Sequence, residues 1–318
     1  MQQSAIIVFP SLVAGSMLVG IACGHFRWVS ESVARWLMTM IAAFGYATVS
    51  LLSIWITPLE PSHAVLPIAN TVQMSAFALL GMFVASRFLT KDRQEQGLFA
   101  INTSVPNTGF TMGGFVIYLL FGEAGLGLAN VHAITFTPMV VLLAYPVARS
   151  VTSAGGTSIL ALLAKSVFDW RSLGLPMAIL GVLLSISHIP RPAFISDWHV
   201  TDVLMYVLNI AAYFAIGLRL RLERVMPLWR LILGLGVTRF GFGLAFGLLS
   251  VWLVSLTPWA LSDTGRAVLL IESFVPTGVT SVAVANMFGF KASEASVLFV
   301  MNTLMYLLVV LPFVFWVF

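Results

Sequence analysis

Residues 102–110 read Asn-Thr-Ser-Val-Pro-Asn-Thr-Gly-Phe, and residues 272–280 read Glu-Ser-Phe-Val-Pro-Thr-Gly-Val-Thr. Each segment places a proline inside an apolar stretch of membrane-spanning length. Proline has no backbone N–H and clashes with the preceding helical turn, so both segments predict an interrupted helix. In hydrocarbon, the backbone groups freed by an interruption need partners from protein, water or a ligand. The two segments are therefore the first candidates for a binding site.

The rest of the chain is equally apolar. Hydrophobic residues make up 59% of the 318 residues, charged residues 9%, and the mean hydropathy is +1.00. Because about 20 apolar residues cross a bilayer core, this pattern predicts an all-α membrane protein with ten transmembrane helices and no water-soluble domain. The predicted spans lie near 5–24, 33–56, 65–89, 97–121, 127–149, 172–189, 201–220, 229–256, 265–288 and 294–317. No basic leader marks the first span, so we expect a retained helix.

The residue content argues against several kinds of site. The single cysteine, Cys23, excludes an internal disulfide and a cysteine-based metal cage, and the five histidines have no metal-ligand spacing. We expect no cofactor and no metal centre, with H⁺ or Na⁺ as the candidate coupling ion. The net charge of +4 reflects membrane orientation rather than nucleic-acid binding.

The positive residues predict that orientation, because short cytoplasmic loops are enriched in Lys and Arg. One set of alternate loops carries Arg27, Arg35, Arg87, Lys91, Arg93, Arg149, Lys165, Arg171, Arg219, Arg221, Arg224, Arg230 and Lys291, whereas the other carries only Arg191 and Arg266. We expect the first set to face the cytoplasm and both termini to lie outside, in a bacterial inner membrane.

The two proline segments also indicate an internal repeat. Pro106 and Pro276 are 170 positions apart, and Leu120-Phe121-Gly122 corresponds to Met287-Phe288-Gly289. Each half would hold five spans, and an odd number of crossings inverts the second half. The predicted repeats are residues 1–155 and 156–318. The linker between them is the Ser/Gly/Thr-rich stretch Ser150 to Ser158, followed by a polar-edged segment to Trp170. Chance similarity between apolar sequences is the alternative.

Four stretches carry a resemblance to the auxin efflux carrier (PIN-like) family of secondary transporters, in its short bacterial form, with a fold of the bile acid, arsenite and riboflavin transporter type. They are Gly20 to Trp36 with Val29-Ser30-Glu31-Ser32-Val33-Ala34-Arg35; Asn107-Thr108-Gly109-Phe110 with Gly113 and Phe121-Gly122; Leu175-Pro176 through Ile189-Pro190-Arg191-Pro192; and Val275-Pro276-Thr277 with Phe288-Gly289. Three features depart from the family: Ala43-Phe44-Gly45-Tyr46-Ala47 lacks a proline, Gly114 replaces one, and the asparagine expected after Pro276 is not evident.

The resemblance implies ten helices in two inverted five-helix repeats. It implies crossed, broken helices four and nine in a mobile transport domain built from helices three to five and eight to ten. Helices one, two, six and seven would form the scaffold, through which a homodimer is plausible. Members of this family export or exchange organic anions, often carboxylates.

The candidate binding residues surround the two breaks. Half-helix N-termini suit anions and C-termini suit cations. The candidates for substrate binding are Asn102, Ser104, Pro106, Asn107 and Thr108 at the first break, and Pro276 and Thr277 at the second. The alternative is an ordinary kink satisfied by Ser and Thr hydroxyls.

Two charges lie well inside predicted spans, away from the span ends, and are costly there, which argues that they face the protein interior. Arg239 and Glu272 would both lie roughly 11–14 Å deep at 1.5 Å per residue, so they can meet near the midplane. They form either a static salt bridge or a switchable pair. In the second case Arg239 binds a substrate carboxylate, and Glu272, with Ser273, takes up a proton or a cation.

Further polar residues in the spans are candidates for the same cavity. Asn70 and Gln73 lie one turn apart on one helix face and either line the cavity or bond to a neighbouring helix. His132, Thr135 and Asn302 are candidate lining residues, with packing as the alternative for His132. A sodium site would draw oxygens from Glu272, Thr277 and Asn107.

The expected function is secondary transport of a small organic anion by alternating access of the elevator type, with lipid and substrate as partners. The alternatives are a sodium-coupled symporter resembling the bile acid family, an intramembrane enzyme, a membrane sensor and a channel. The chain has no phosphate loop, G-x-S-x-G or H-E-x-x-H, so it carries no recognised motif for nucleotide hydrolysis or catalysis.

Overall fold

The computed structural model describes residues 2–109, 111–152, 158, 161, 173–218, 225–290 and 292–318. Within these residues the chain is helical. Its helices are α1 (Gln2–His25), α2 (Ser32–Ile56), α3 (Pro61–Leu89), α4 (Arg93–Ser104), α5 (113–121), α6 (123–151), α7 (Gly174–Ile186), α8 (Ala193–Asp197), α9 (Val200–Leu218), α10 (Met226–Ser255), α11 (Asp263–Ser273), α12 (Thr280–Met287) and α13 (Ser293–Val317). Most of the predicted linker beyond Thr152 lies outside the described residues. So do Phe110 and six of the basic residues: Lys165, Arg171, Arg219, Arg221, Arg224 and Lys291.

Six helical stretches are long and apolar enough to cross a membrane: α2, α3, Gly113–Val151, α9, α10 and α13. Two shorter apolar helices, Ser11–His25 and Gly174–Ile186, accompany them. This is the helix content expected of an integral membrane protein. The predicted fourth and ninth spans are each divided, into α4 and α5 and into α11 and α12, because residues 105–109 and 274–279, around the two prolines, are non-helical.

Close helix packing occurs at glycines, as is usual for membrane helices. The α1–α9 contact brings Gly20 against the backbone of Phe214 and Gly217, so that a Cβ at either glycine would overlap the facing helix. The α2–α7 contact is similar, with Gly181 against Leu51 and Ile54. In the same way α3 packs on α4 and α10 packs on α11.

One glycine follows the second half-helix of each divided span. Gly122, between α5 and α6, has φ 69°, and Gly289, after α12, has φ 75°. These values lie in the left-handed region, which glycine enters without the steric cost of a Cβ. The pair is the Phe-Gly match that the sequence comparison of the two halves identified.

Five of the long helices contain a π-helical turn, in which the bond pattern widens to i→i+5. The turns are Ile41–Gly45 in α2, Ala85–Leu89 in α3, Val140–Ala144 in α6, Val237–Phe242 in α10 and Tyr306–Val310 in α13. Such turns re-aim side chains and are frequent at functional sites. The turn in α10 carries Arg239.

Candidate functional site

The two helix breaks cross and satisfy each other. The backbone N–H of Asn107 donates to the carbonyl of Pro276 at 2.7 Å, and the N–H of Gly278 donates to the carbonyl of Val105 at 2.8 Å. Together these bonds form an antiparallel bridge between Pro106 and Thr277. A Cβ at Gly278 would lie 2.6 Å from the Pro106 carbonyl oxygen, so the crossing requires glycine there.

Two buried asparagines support the crossing from either side. Asn302 on α13 accepts a hydrogen bond from the Thr277 backbone N–H at 2.8 Å. Asn102 accepts from the Ser281 hydroxyl at 2.9 Å and from the Thr277 hydroxyl at 3.4 Å. Both asparagines are fully buried, so their side-chain oxygens hold the breaks in place rather than face a cavity.

Arg239 joins the C-terminal ends of the two first half-helices. Its Nε and Nη2 donate to the carbonyl of Val275, with the Nε bond at 3.0 Å, and its Nη1 donates to the carbonyl of Thr103 at 3.0 Å. The guanidinium carbon also lies 5.4 Å from the centroid of the Phe77 ring. The side chain is fully buried.

Glu272 is not paired with Arg239, contrary to the salt-bridge alternative: no ion pair joins them in the described part of the chain. The Glu272 carboxyl is fully buried and forms no hydrogen bond of normal geometry with a described residue, while the backbone N–H of Gly109 approaches it. It packs on the N-terminus of α5, where a Cβ at Gly113 would overlap it. Helix N-termini favour negative charge, so each charged side chain faces the helix end of opposite sign.

The remaining polar candidates, apart from His132, bond to their own helix or to a neighbouring one. Gln73 donates to the carbonyl of Ser273, at the end of α11. Asn70 donates to the Thr135 hydroxyl at 3.1 Å, which gives Asn70 and Thr135 an inter-helix role. The hydroxyls of Ser104 and Ser273 bond to carbonyls of their own helices, Ile101 and Leu270. His132 is fully buried, and neither ring nitrogen has a partner among the described residues.

A cavity of about 280 Å³ opens beside the crossing, between α2, α6, the start of α7 and the two breaks. Its lining residues are Met38, Ile41, Tyr46, Pro106, Asn107, Thr108, Thr111, Phe136, Thr137, Val140, Val141, Tyr145, Gly174, Gly278, Val279 and Thr280. Among these residues none is charged. The side-chain oxygen of Thr108 is buried and has no hydrogen-bond partner in the described residues.

Only part of the predicted site reaches this cavity. Pro106, Asn107 and Thr108 line it, whereas the other candidates named from the sequence are not among its lining residues. Sequence reasoning missed Tyr46, Tyr145 and the threonines 111, 137 and 280. Thr111 and Thr280 could have been found, because each lies three positions after the last predicted binding residue of its segment, Thr108 or Thr277. The residues of α2 and α6 gave no such signal, because their contribution depends on tertiary packing.

At the opposite end of α6, three polar contacts connect α5 and α6 to the chain before α9 and to the first residues of α9. Arg191 forms an ion pair with Glu123, with Nη2 to Oε2 at 3.0 Å, and the Thr201 hydroxyl donates to the same carboxylate. The Tyr118 hydroxyl donates to Asp202. The ion pair is largely shielded, since the Arg191 side chain is 5% exposed.

Comparison with models of known protein families, and with curated proteins, finds no match to this chain.

The crossing predicts a specific effect of a single methyl group. Gly278→Ala should lower the thermal denaturation midpoint of the purified protein, because its Cβ meets a backbone carbonyl that cannot rotate away; overpacking of this kind costs about 1–3 kcal/mol. Gly241→Ala on α10 is the matched control, since nothing lies within 4 Å of its added Cβ. Equal midpoints for the two variants would contradict the crossing.

Proposed function

We propose that the chain is a secondary active transporter of small organic anions. The observation that carries this proposal is the bonded crossing of two broken helices beside an uncharged cavity of about 280 Å³. Irregular backbone at membrane depth is tolerated where it is buried in protein or lines a cavity, and transporters place their substrate sites at such breaks.

The proposed architecture is ten membrane crossings in two inverted five-helix repeats. Three observations support it: the paired breaks, the paired glycines Gly122 and Gly289 at positive φ, and the reciprocal packing of α1 on α9 and α2 on α7. In this arrangement α1, α2, α7 and α9 form the scaffold, and the breaks belong to the moving domain. The resemblance to the auxin efflux carrier family leads to the same arrangement.

The proposed substrate carries one carboxylate and an apolar or aromatic body. The cavity offers hydroxyl and amide groups at Asn107, Thr108 and Thr280, while Phe136, Val140 and other apolar side chains form much of its wall. With no cationic side chain among the described lining residues, a second carboxylate would be desolvated without a partner. The N-terminus of α12 adds positive potential at Thr280.

The proposed coupling residue is Glu272, which would exchange a proton as the transport domain moves. A sodium-coupled symporter is the second candidate, because Asn107 and Thr277 also offer oxygens close to the crossing. An intramembrane enzyme, a sensor and a channel have no observation in their favour. The membrane proposed is a bacterial inner membrane, with both termini outside.

The proposed mechanism is elevator-type alternating access. By the predicted orientation, the cavity lies toward the cytoplasm, because its walls include the beginning of α2 and the end of α6. The Glu123–Arg191 and Tyr118–Asp202 contacts lie on the outer side and hold the moving helices against the scaffold. The structure would then represent an inward-facing state with the outer side closed.

Transport by the purified protein in liposomes tests the proposal. Uptake of an aromatic monocarboxylate such as indole-3-acetate should exceed that of malate or malonate. Thr108→Val removes one hydroxyl from the cavity and should raise KM about fivefold, the value of one hydrogen bond near 1 kcal/mol.

The matched control is Thr71→Val, whose hydroxyl bonds to Pro67 of its own helix and should leave KM unchanged. Absence of uptake for every organic anion tested, by protein shown to be folded, would contradict the proposal. So would equal KM values for the two valine variants.

The outer contacts predict a shift in access. Arg191→Ala should increase labelling of a cysteine at Thr137 by a membrane-impermeant maleimide added from outside, in a Cys23→Ser background. Hydrogen bonds to charged groups are worth about 1.5–3 kcal/mol, so losing this pair should raise the outward-open population about tenfold or more. Arg266→Ala is the control, because Arg266 contacts nearby residues of its own segment: it forms an ion pair with Asp263 at 3.5 Å and donates to the carbonyl of Leu261 at 2.9 Å. An unchanged labelling rate in Arg191→Ala would refute the role of this contact.

A further inference from the structure

Two helix C-termini meet at the crossing, and their carbonyl groups need a positive partner. The last turn of a helix leaves carbonyls without helical donors, and the aligned peptide dipoles give this end the equivalent of about half a negative charge. Helix α4 ends at Ser104 and α11 ends at Ser273. The carbonyls of Thr103 and Val275 are close enough for one side chain to bond to both.

Arg239 fills this position, and each of its three guanidinium nitrogens donates a hydrogen bond. It places donors on both carbonyls from the π-helical turn of α10, while Gln73 covers the neighbouring carbonyl of Ser273. The Phe77 ring lies against the guanidinium group, which adds a cation–π attraction. In the described part of the chain, no carboxylate bonds to Arg239, so its hydrogen bonds go to the two helix ends.

We propose that Arg239 is a built-in cation: it occupies the place between two half-helix C-termini where a free monovalent cation would otherwise bind, and it holds those ends together. The crossing then needs no bound Na⁺. The consequence for ion coupling rests on the proposed carrier function. With no sodium ion at the crossing, the coupling ion is the proton at Glu272, and transport is independent of sodium.

The geometry argues against the two other roles considered for this residue. As a substrate ligand, Arg239 would have to release its bonds to the carbonyls of Thr103 and Val275, and it is not among the residues that line the cavity. As one half of a salt bridge it would need Glu272, whose carboxyl packs on the N-terminus of α5 instead. Arg239 is therefore a positioning residue.

Chemical rescue tests this role without any substrate. Arg239→Ala should lower the thermal denaturation midpoint of the purified protein, and about 10 mM guanidinium should restore most of the loss, because a ligand that binds only the folded state stabilises it by mass action. The same concentration should leave the wild-type midpoint unchanged. Arg230→Ala, at the start of the same helix, should show neither the loss nor the rescue.

The outcomes separate this inference from the proposed function. Rescue by guanidinium, or by Na⁺ against a choline control, supports the built-in cation whether or not the protein transports anions. An Arg239→Ala protein that folds, is destabilised and responds to neither ion overturns it.

If Arg239→Ala yields no folded protein, radioactive sodium binding to the wild-type protein decides. Absence of saturable ²²Na⁺ binding supports the inference. Saturable binding that Thr277→Val abolishes would show that the crossing holds sodium despite the arginine, and would overturn it.

Discussion

Two interrupted helices inside an apolar protein leave backbone N–H and C=O groups without helical partners, and in hydrocarbon each unpaired group costs several kcal/mol. Here each break supplies part of the other's missing bonds, through the Asn107–Pro276 and Gly278–Val105 pairs. This short bridge joins residues from the two halves of the chain. The positions of α4, α5, α11 and α12 all depend on it, and so does the cavity wall that the breaks form.

The charged groups at the crossing follow the polarity of the helix ends. Arg239 meets two C-termini and Glu272 meets the N-terminus of α5, so neither needs the other as a partner. Such an arrangement leaves the cavity beside the crossing free of charged side chains among its described lining residues. Under the proposed function, an anion in this cavity would bind to hydroxyls, amides and helix N-termini, which limits the number of carboxylates that the substrate can carry.

The sequence predicted the helical class and the two breaks, because membrane-length apolar runs and internal prolines act locally. It also identified Arg239 and Glu272 as buried charges, since their depth follows from helix rise alone. It did not predict what they contact, because the depth of a residue in the membrane does not determine the direction in which its side chain points around the helix axis. The π-helical turn that contains Arg239 changes this direction. Tyr46 and Tyr145 were missed for the same reason: their approach to the cavity depends on how α2 and α6 pack.

A disulfide across the crossing is the most direct test of the bridge. Pro106 and Thr277 form a non-hydrogen-bonded antiparallel pair, for which the Cα separation is about 4.5 Å, within the range of about 4.4–6.8 Å that disulfides accept. In a Cys23→Ser background with a protease site inserted in residues 153–157, Pro106→Cys with Thr277→Cys should keep the two halves joined after cleavage and mild oxidation. The control variant combines Pro106→Cys with Ser262→Cys, which lies at the start of α11, about 16 Å from the end of that helix at the crossing. Its two halves should separate after cleavage. Separation of the halves in the first variant, with both cysteines reactive, would contradict the account.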